Sequence, residues 1–249
     1  MDRLSIGGLI LALVAVVGGY AIEGGGISAL FHFPAFVIVI GGSFGAVMLQ
    51  TPTPYFLHGL KMFKQVWRSQ PIDFLATQKK IAFWSDTVRQ KGFLALEDEI
   101  AEQDDEFTQK ALGLLVDGVE SDVMREALIL DIELESERLH KSARIYDALG
   151  GYSPTIGIIG AVLGLIQAMA NIDDPSALGH GIATAFVATI YGVGGANLFF
   201  IPVAQKLQSQ IENQVLFREM VVEGIMCAAN GENPANIQRK LASYSNASI

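Results

Sequence analysis

Only one cysteine, Cys227, occurs in the 249 residues, so the chain closes no internal disulfide and offers no thiolate cluster to a metal. Its four histidines, His32, His58, His140 and His180, are scattered. Each reads as an ordinary polar residue at a loop or membrane edge rather than a ligand, and neither a metal nor a cofactor is expected. Charge is scarce as well. Asp, Glu, Lys and Arg make up 17% of the chain, against about a quarter in a soluble domain. A net charge of −9, with no basic patch interleaved with aromatics, excludes a nucleic-acid partner. No nucleophile, base and oxyanion-binding set stands out, which argues against an enzyme. Strand alternation, nucleotide-binding loops and low-complexity tracts are also missing.

What remains is apolar and segregated. No Asp, Glu, Lys or Arg occurs in Leu4–Ile22, Gly24–Leu60, Ala148–Ile172 or Pro175–Gln205. Each run reaches the roughly 18 residues that mark a spanning helix. Pro52 and Pro54 should end the second span, and Gly179 and Gly181 precede the apolar part of the fourth. The first run has a weak n-region, a long apolar stretch and no clear small-x-small site, so it reads as an uncleaved helix rather than a signal peptide.

The segment Thr51–Asp147 carries 12 of the 17 Lys and Arg, and the tail after Gln205 carries Lys206, Arg218, Arg239 and Lys240. The connections Glu23–His32 and Asp173–His180 have neither Lys nor Arg. The positive-inside rule therefore puts both termini and the long segment in the cytoplasm, with the two short connections on the opposite side of the membrane. The expected fold class is all-α: a polytopic membrane protein with four transmembrane helices and a helical cytoplasmic domain between helices 2 and 3. Its domains divide as 1–50 (helices 1 and 2), 51–147 (cytoplasmic), 148–205 (helices 3 and 4) and 206–249 (a cytoplasmic helical tail). Within the cytoplasmic segment, apolar spacing predicts helices over Leu75–Gln90 and Thr108–Val116. A third starts at Asp122 with Ser121 as N-cap and Val123, Ala127, Leu130, Leu134 and then Ile145 as its apolar residues among many charges. It runs into the third span, with Gly150–Gly151 as the first breaker. The tail continues the fourth span to about Ala229, where Gly231, Asn233 and Pro234 break it.

An ion carrier normally shows an ionisable residue inside the membrane. This chain shows none well inside a span, since Glu23 lies at the periplasmic end of the first. If the protein moves ions, another chain must supply the titrating group. The third span places Gly157 with Ala161, and Gly160 with Gly164, at four-residue spacing, and the fourth sets Ala185, Ala188, Thr189, Gly192 and Ala196 on a small-residue face. Such faces permit close helix packing, or enclose a partner helix and a hydrated path. Pro154 reads as the start of span three and Pro202 as the end of span four, both at the cytoplasmic edge, each a fixed kink or helix start, or else a hinge. Arg89, Lys91, Glu97 and Glu99 alternate in sign around a short apolar run. That pattern suits a solvated face or a partner-binding surface of mixed sign.

The sequence resembles the MotA/PomA family of bacterial flagellar stator proteins over nearly its whole length. The four-span layout, Arg89-x-x-Gly92-x-x-x-Leu96-Glu97, Leu115-Val-Asp117-Gly118 with Asp122-Val-x-Arg125-x-Ala127-Leu, and Pro154-x-x-Gly157-x-Ile-Gly160-x-x-x-Gly164-Leu with Thr189-x-Tyr191-Gly192 and Pro202 carry the match. The resemblance implies five such subunits around two copies of a single-span MotB- or PomB-type partner. That partner supplies the ion-binding Asp and anchors the complex to peptidoglycan. By the same resemblance Arg89 and Glu97, with Lys91 and Glu99 beside them, face the rotor protein FliG; Pro154 and Pro202 serve as conformational hinges; and Ala161, Gly164 and Thr189 line the ion pathway. Sodium-driven relatives carry Thr at the position of Ala161 and two adjacent Thr where this chain has Ala188-Thr189, which points to protons here. An ExbB/TolQ-type energiser is the alternative, although its three-span layout fits less well.

Overall fold

The computed structural model describes residues 3–67 and 72–247. Among them the regular structure is helical: α1 (Arg3–Ile22), α2 (Phe33–Phe36), α3 (Gly42–Gln50), α4 (Thr53–Trp67), α5 (Phe74–Lys91), α6 (Glu97–Ala101), α7 (Glu106–Val116), α8 (Ser121–Ala170), α9 (Pro175–Gly195), α10 (Ile201–Ala229) and α11 (Pro234–Ala247). Short 3₁₀ turns cover Ile27–Leu30 and Phe93–Leu96, and π turns cover Val37–Gly41 and Ala196–Phe200. Four stretches are long and apolar enough to cross a membrane: Leu4–Ile22, Ile27–Gln50, Ser121–Ala170 and Pro175–Ala229. The chain divides into two compact units, residues 1–69 with 139–208 and residues 70–138 with 209–249.

In the first unit, α1 exposes apolar side chains all round, from Leu4 to Ile22. Such a helix is stable only where its surroundings are themselves apolar. The second span is not one α-helix. Thr51, in extended conformation, ends α3 before Pro52, as expected, but Val37–Gly41 forms a π turn, and the Ser43 hydroxyl donates to the Val39 carbonyl at 2.6 Å. Helix α4, which the charge pattern did not reveal, packs on α8. The Tyr146 hydroxyl donates to the Gly59 carbonyl at 3.1 Å, and His58 Nδ1 lies 3.1 Å from Ser142 Oγ. Phe63 stacks on Tyr146 and meets Phe199.

In the second unit, α5 and α7 lie within two residues of their expected limits, each opened by an unforeseen aspartate cap. Asp73 accepts from the Ala76 amide at 2.8 Å, and Asp105 from Thr108 at 2.9 Å. These caps satisfy amides that the first helical turn leaves without partners. Ser121 is not the cap of α8. The first backbone bond of that helix runs from the Met124 amide to the Glu120 carbonyl, and Ser121 Oγ faces Asn230. The buried face of α8 here is Met124, Leu128 and Ile132, while Val123, Leu130 and Leu134 are exposed. Trp84, Leu96, Leu112, Met220 and Ile225 complete this core with Ile237 and Leu241 of α11. The end of α10 falls where expected, since Gly231 takes φ 68° and the Glu232 amide bonds back to Cys227, a Schellman-type stop. Glu223 bridges Arg125 and Lys240. Chiefly the hydrogen bond from Lys240, with a smaller part from Arg125, holds its carboxyl below the usual range.

Candidate functional site

Two groups of predicted residues fall in the first unit. Helices α8 and α9 meet backbone to backbone along a seam of small residues. A Cβ placed on Gly192 would lie 2.5 Å from the Ser153 carbonyl oxygen, and one on Gly164 would lie 2.7 Å from both the Ala185 nitrogen and the Gly181 oxygen. Gly157 similarly faces the Ala188 carbonyl, and Gly160 the Ala188 methyl and Ile38. The small-residue pattern is thus used within the chain. Gly164 is buried in this seam, while Ala161 and Thr189 at its borders are half-buried. The Thr189 hydroxyl donates to the Ala185 carbonyl at 3.1 Å, and its oxygen can still accept. Around them the exposed surface is apolar: Ile158, Ile159, Val162, Leu165 and Ile166 on α8, and Phe186, Ile190 and Val193 on α9. A wide apolar surface with no acid is a surface for other helices or lipid.

A polar clamp runs alongside the seam. Tyr191 donates its hydroxyl to the Leu30 carbonyl and accepts from the His32 amide at 3.1 Å. Thr184 donates to the His180 carbonyl at 2.9 Å, so toward His32 Nε2, 3.2 Å away, it can only accept. One tyrosine therefore fixes the entry of the second span on the fourth. His32 reads from sequence as an ordinary polar residue at a membrane edge. These pairings join residues more than 150 positions apart, and no local signal could have found them.

Both prolines lie inside continuous helices, as expected from helices that run on beyond the third and fourth spans, so Pro154 does not start a helix. Helix α8 passes through Gly150, Gly151 and Pro154 without a break. Pro154 leaves the Gly150 carbonyl without its helical donor. Beside it, Ser153 donates to the Leu149 carbonyl at 2.6 Å and Thr155 to that of Tyr152 at 2.8 Å. Pro202 follows the π turn, in which the Ile201 amide reaches five residues back to the Ala196 carbonyl. Such a turn absorbs the donor that Pro202 lacks. The two weak points touch, because a Cβ on Gly150 would come 2.6 Å from Ile201 Cγ1. Pro202 also borders a cavity of about 280 Å³, lined in part by Ser5, Trp67, Asn197 and Lys206.

The charged group lies in the second unit. Arg89 and Lys91 end α5, and Glu97, Asp98 and Glu99 open α6, each sign complementing its helix terminus. Arg89, Lys91, Glu97 and Asp98 are exposed. Glu99 is half-buried and accepts from the Trp84 indole N–H at 3.0 Å, which ties it to the core.

The sequence model of the MotA/TolQ/ExbB proton channel family matches residues 99–220, and that of the Motility protein A N-terminal region matches residues 6–89. Motility protein A of Bacillus subtilis is 33% identical over 98% of this chain and 91% of its own length. Chemotaxis protein PomA of Vibrio alginolyticus is 35% identical over 94% of each. The chain belongs to the MotA/PomA family of flagellar stator subunits. Among solved structures, the stator A-subunit fold recurs in MotAB of C. jejuni, with a TM-score of 0.93 at 30% identity over 98% of this chain and 96% of that one. The flagellar MotAB stator complex of Bacillus subtilis gives a TM-score of 0.88 at 33% identity, over 97% and 96%. This stator subunit is therefore a membrane-embedded ion-channel protein of the flagellar motor rather than an enzyme. The match to the Motility protein A N-terminal region and the four spans leave the ExbB/TolQ-type alternative less supported.

Proposed function

We propose that this stator subunit works in the bacterial inner membrane with both termini in the cytoplasm. In that arrangement 1–50 and 148–205 hold the spans, and 51–147 and 206–249 are cytoplasmic. Copies of the chain, five by family resemblance, surround a MotB-type single-span partner whose Asp binds the ion and whose outer domain grips peptidoglycan. The observation that carries this reading is the acid-free, apolar exposed surface of α9 and of α8 from residue 148 onward in a chain similar over nearly its full length to stator subunits. Spans that conduct ions but hold no acid need one from another chain. Ala161 and Thr189 border the ion path, with Gly164 setting the closeness of the two helices beside it. Pro154 and Pro202 pass the ion event on as a change of helix bend. Lipid covers α1.

The coupling ion is the proton. Sodium needs a shell of oxygen ligands, and Ala161 and Ala188 place methyl groups where sodium-driven relatives have hydroxyls. Thr189 is the one remaining hydroxyl of that set. The test is motility at fixed proton-motive force across a sodium series. Swimming speed should ignore sodium; speed that falls to zero without sodium would refute the proton assignment.

Rotation reaches FliG through Arg89 and Glu97, with Lys91 beside them and Glu99 bracing the surface from behind. Arg89→Glu and Glu97→Lys should each weaken motility while the protein still inserts and assembles. Both side chains are exposed, and an exposed charge contributes under about 1 kcal/mol to stability. Failure of either variant to accumulate in the membrane would make these residues structural and sink the docking role.

A further inference from the structure

Between the two charged clusters lies a turn whose side chains split sharply. Gly92 leaves α5 at φ 83° and ψ 174°, a region that only glycine enters without strain. Phe93 packs against the core of the second unit, and Leu96 is completely buried in it. Leu94, between them, is 74% exposed. Both ends of the turn are therefore nailed to the core while an aliphatic side chain stands outside. The bond from Trp84 to Glu99 fixes the start of α6 immediately behind. Among the described residues, the side chains of Arg89, Lys91, Glu97 and Asp98 make no hydrogen bond or ion pair, whereas that of Glu223 in the same unit is paired twice. A rigidly held apolar side chain flanked along the chain by exposed charges of opposite sign has the composition of an interface centre with its rim.

We propose that Leu94 is the apolar anchor of the rotor contact. It enters an apolar notch on the rotor protein while Arg89 and Lys91 on one side, and Glu97 and Asp98 on the other, meet complementary charges. This rests on the reading that the mixed-sign surface docks the rotor. It goes further in assigning holding strength to Leu94 and register to the charges. Electrostatic rims steer encounter and fix orientation, whereas burial of an apolar side chain slows release.

The experiment uses the full stator complex in lipid nanodiscs, with binding to purified rotor protein measured across a salt series and swimming measured in parallel. Leu94→Ser should weaken binding roughly ten- to a hundredfold, the effect of leaving a leucine-sized apolar surface unburied. The weakening should be similar at every salt concentration, and Leu94→Met should restore most of the affinity. Arg89→Glu should instead reduce the salt dependence itself. Because the side chain is exposed, Leu94→Ser should melt at the wild-type temperature. Wild-type binding and swimming by Leu94→Ser, or a lowered melting temperature accounting for its defect, overturns the anchor. If Leu94→Ser binds normally while the charge reversals still fail, the docking reading stands and the anchor alone is wrong. If the charge reversals change nothing, the docking reading itself fails.

Discussion

Gly192→Val and Gly164→Val are each expected to abolish motility by preventing the first unit from folding. At Gly192 the new Cβ would meet the Ser153 carbonyl oxygen at 2.5 Å and the Gly157 Cα at 3.0 Å; at Gly164 it would meet backbone atoms of Ala185 and Gly181 at 2.7 Å. These neighbours are backbone in two long helices, so no flexible side chain can move aside. The whole seam must open, and each Gly contact along it would be lost. Overpacking a core typically costs about 1–3 kcal/mol, and spreading two helices exceeds that. Gly194, two residues from Gly192, has nothing within 4 Å of an added Cβ, so Gly194→Ala should accumulate normally. Quantitative blotting of membrane fractions, with swimming assays, checks this. Normal accumulation of Gly192→Val would mean that the helices meet some other way.

Pro202→Ala and Pro154→Ala should have the opposite character, with full assembly and little torque. In the wild type the Ile201 amide already reaches to Ala196, and Pro202 cannot donate to Leu198. Alanine restores that donor and gains a hydrogen bond of about 1 kcal/mol, which favours a regular α-helix over the π turn. At Pro154 alanine likewise satisfies the Gly150 carbonyl. The helices become stiffer where Gly150 and Ile201 touch. Tethered-cell rotation at high load reads the consequence directly, and wild-type speed there in both variants would show the prolines to be passive.

Much of this architecture is legible in the chain. Each of the four charge-free runs overlaps one of the four stretches long and apolar enough to cross a membrane, because charge avoidance in lipid leaves a composition signal needing no tertiary knowledge. Helices α5 and α7 are legible for a similar reason, since their apolar spacing is local. The face of α8 is not. Val123, Ala127, Leu130 and Leu134 have helical spacing, but so do Met124, Leu128 and Ile132, and only the second set is buried. Periodicity marks a helix with two apolar faces without saying which one the core takes. That the helices run on past both prolines is legible, but how they do so is not: Ser153 and Thr155 donate to nearby carbonyls beside Pro154, and a π turn precedes Pro202. Those devices depend on geometry that propensity does not encode. At the candidate site, the motifs select Arg89, Glu97, Thr189 and the two prolines by resemblance. The bond from Trp84 to Glu99 and the Tyr191 clamp emerge only when distant segments are brought together.

The central claim is that this stator subunit conducts protons only with a partner that brings the acid. Proton flux into liposomes, followed with an entrapped pH-sensitive dye under an imposed potential, tests it most directly. The purified chain alone should give no flux above empty vesicles. Reconstitution with a single-span MotB-type partner should give flux that disappears when the partner's membrane Asp is changed to Asn. Robust flux from the chain alone would contradict the account, because α9 and the part of α8 from residue 148 onward offer no acid to carry it.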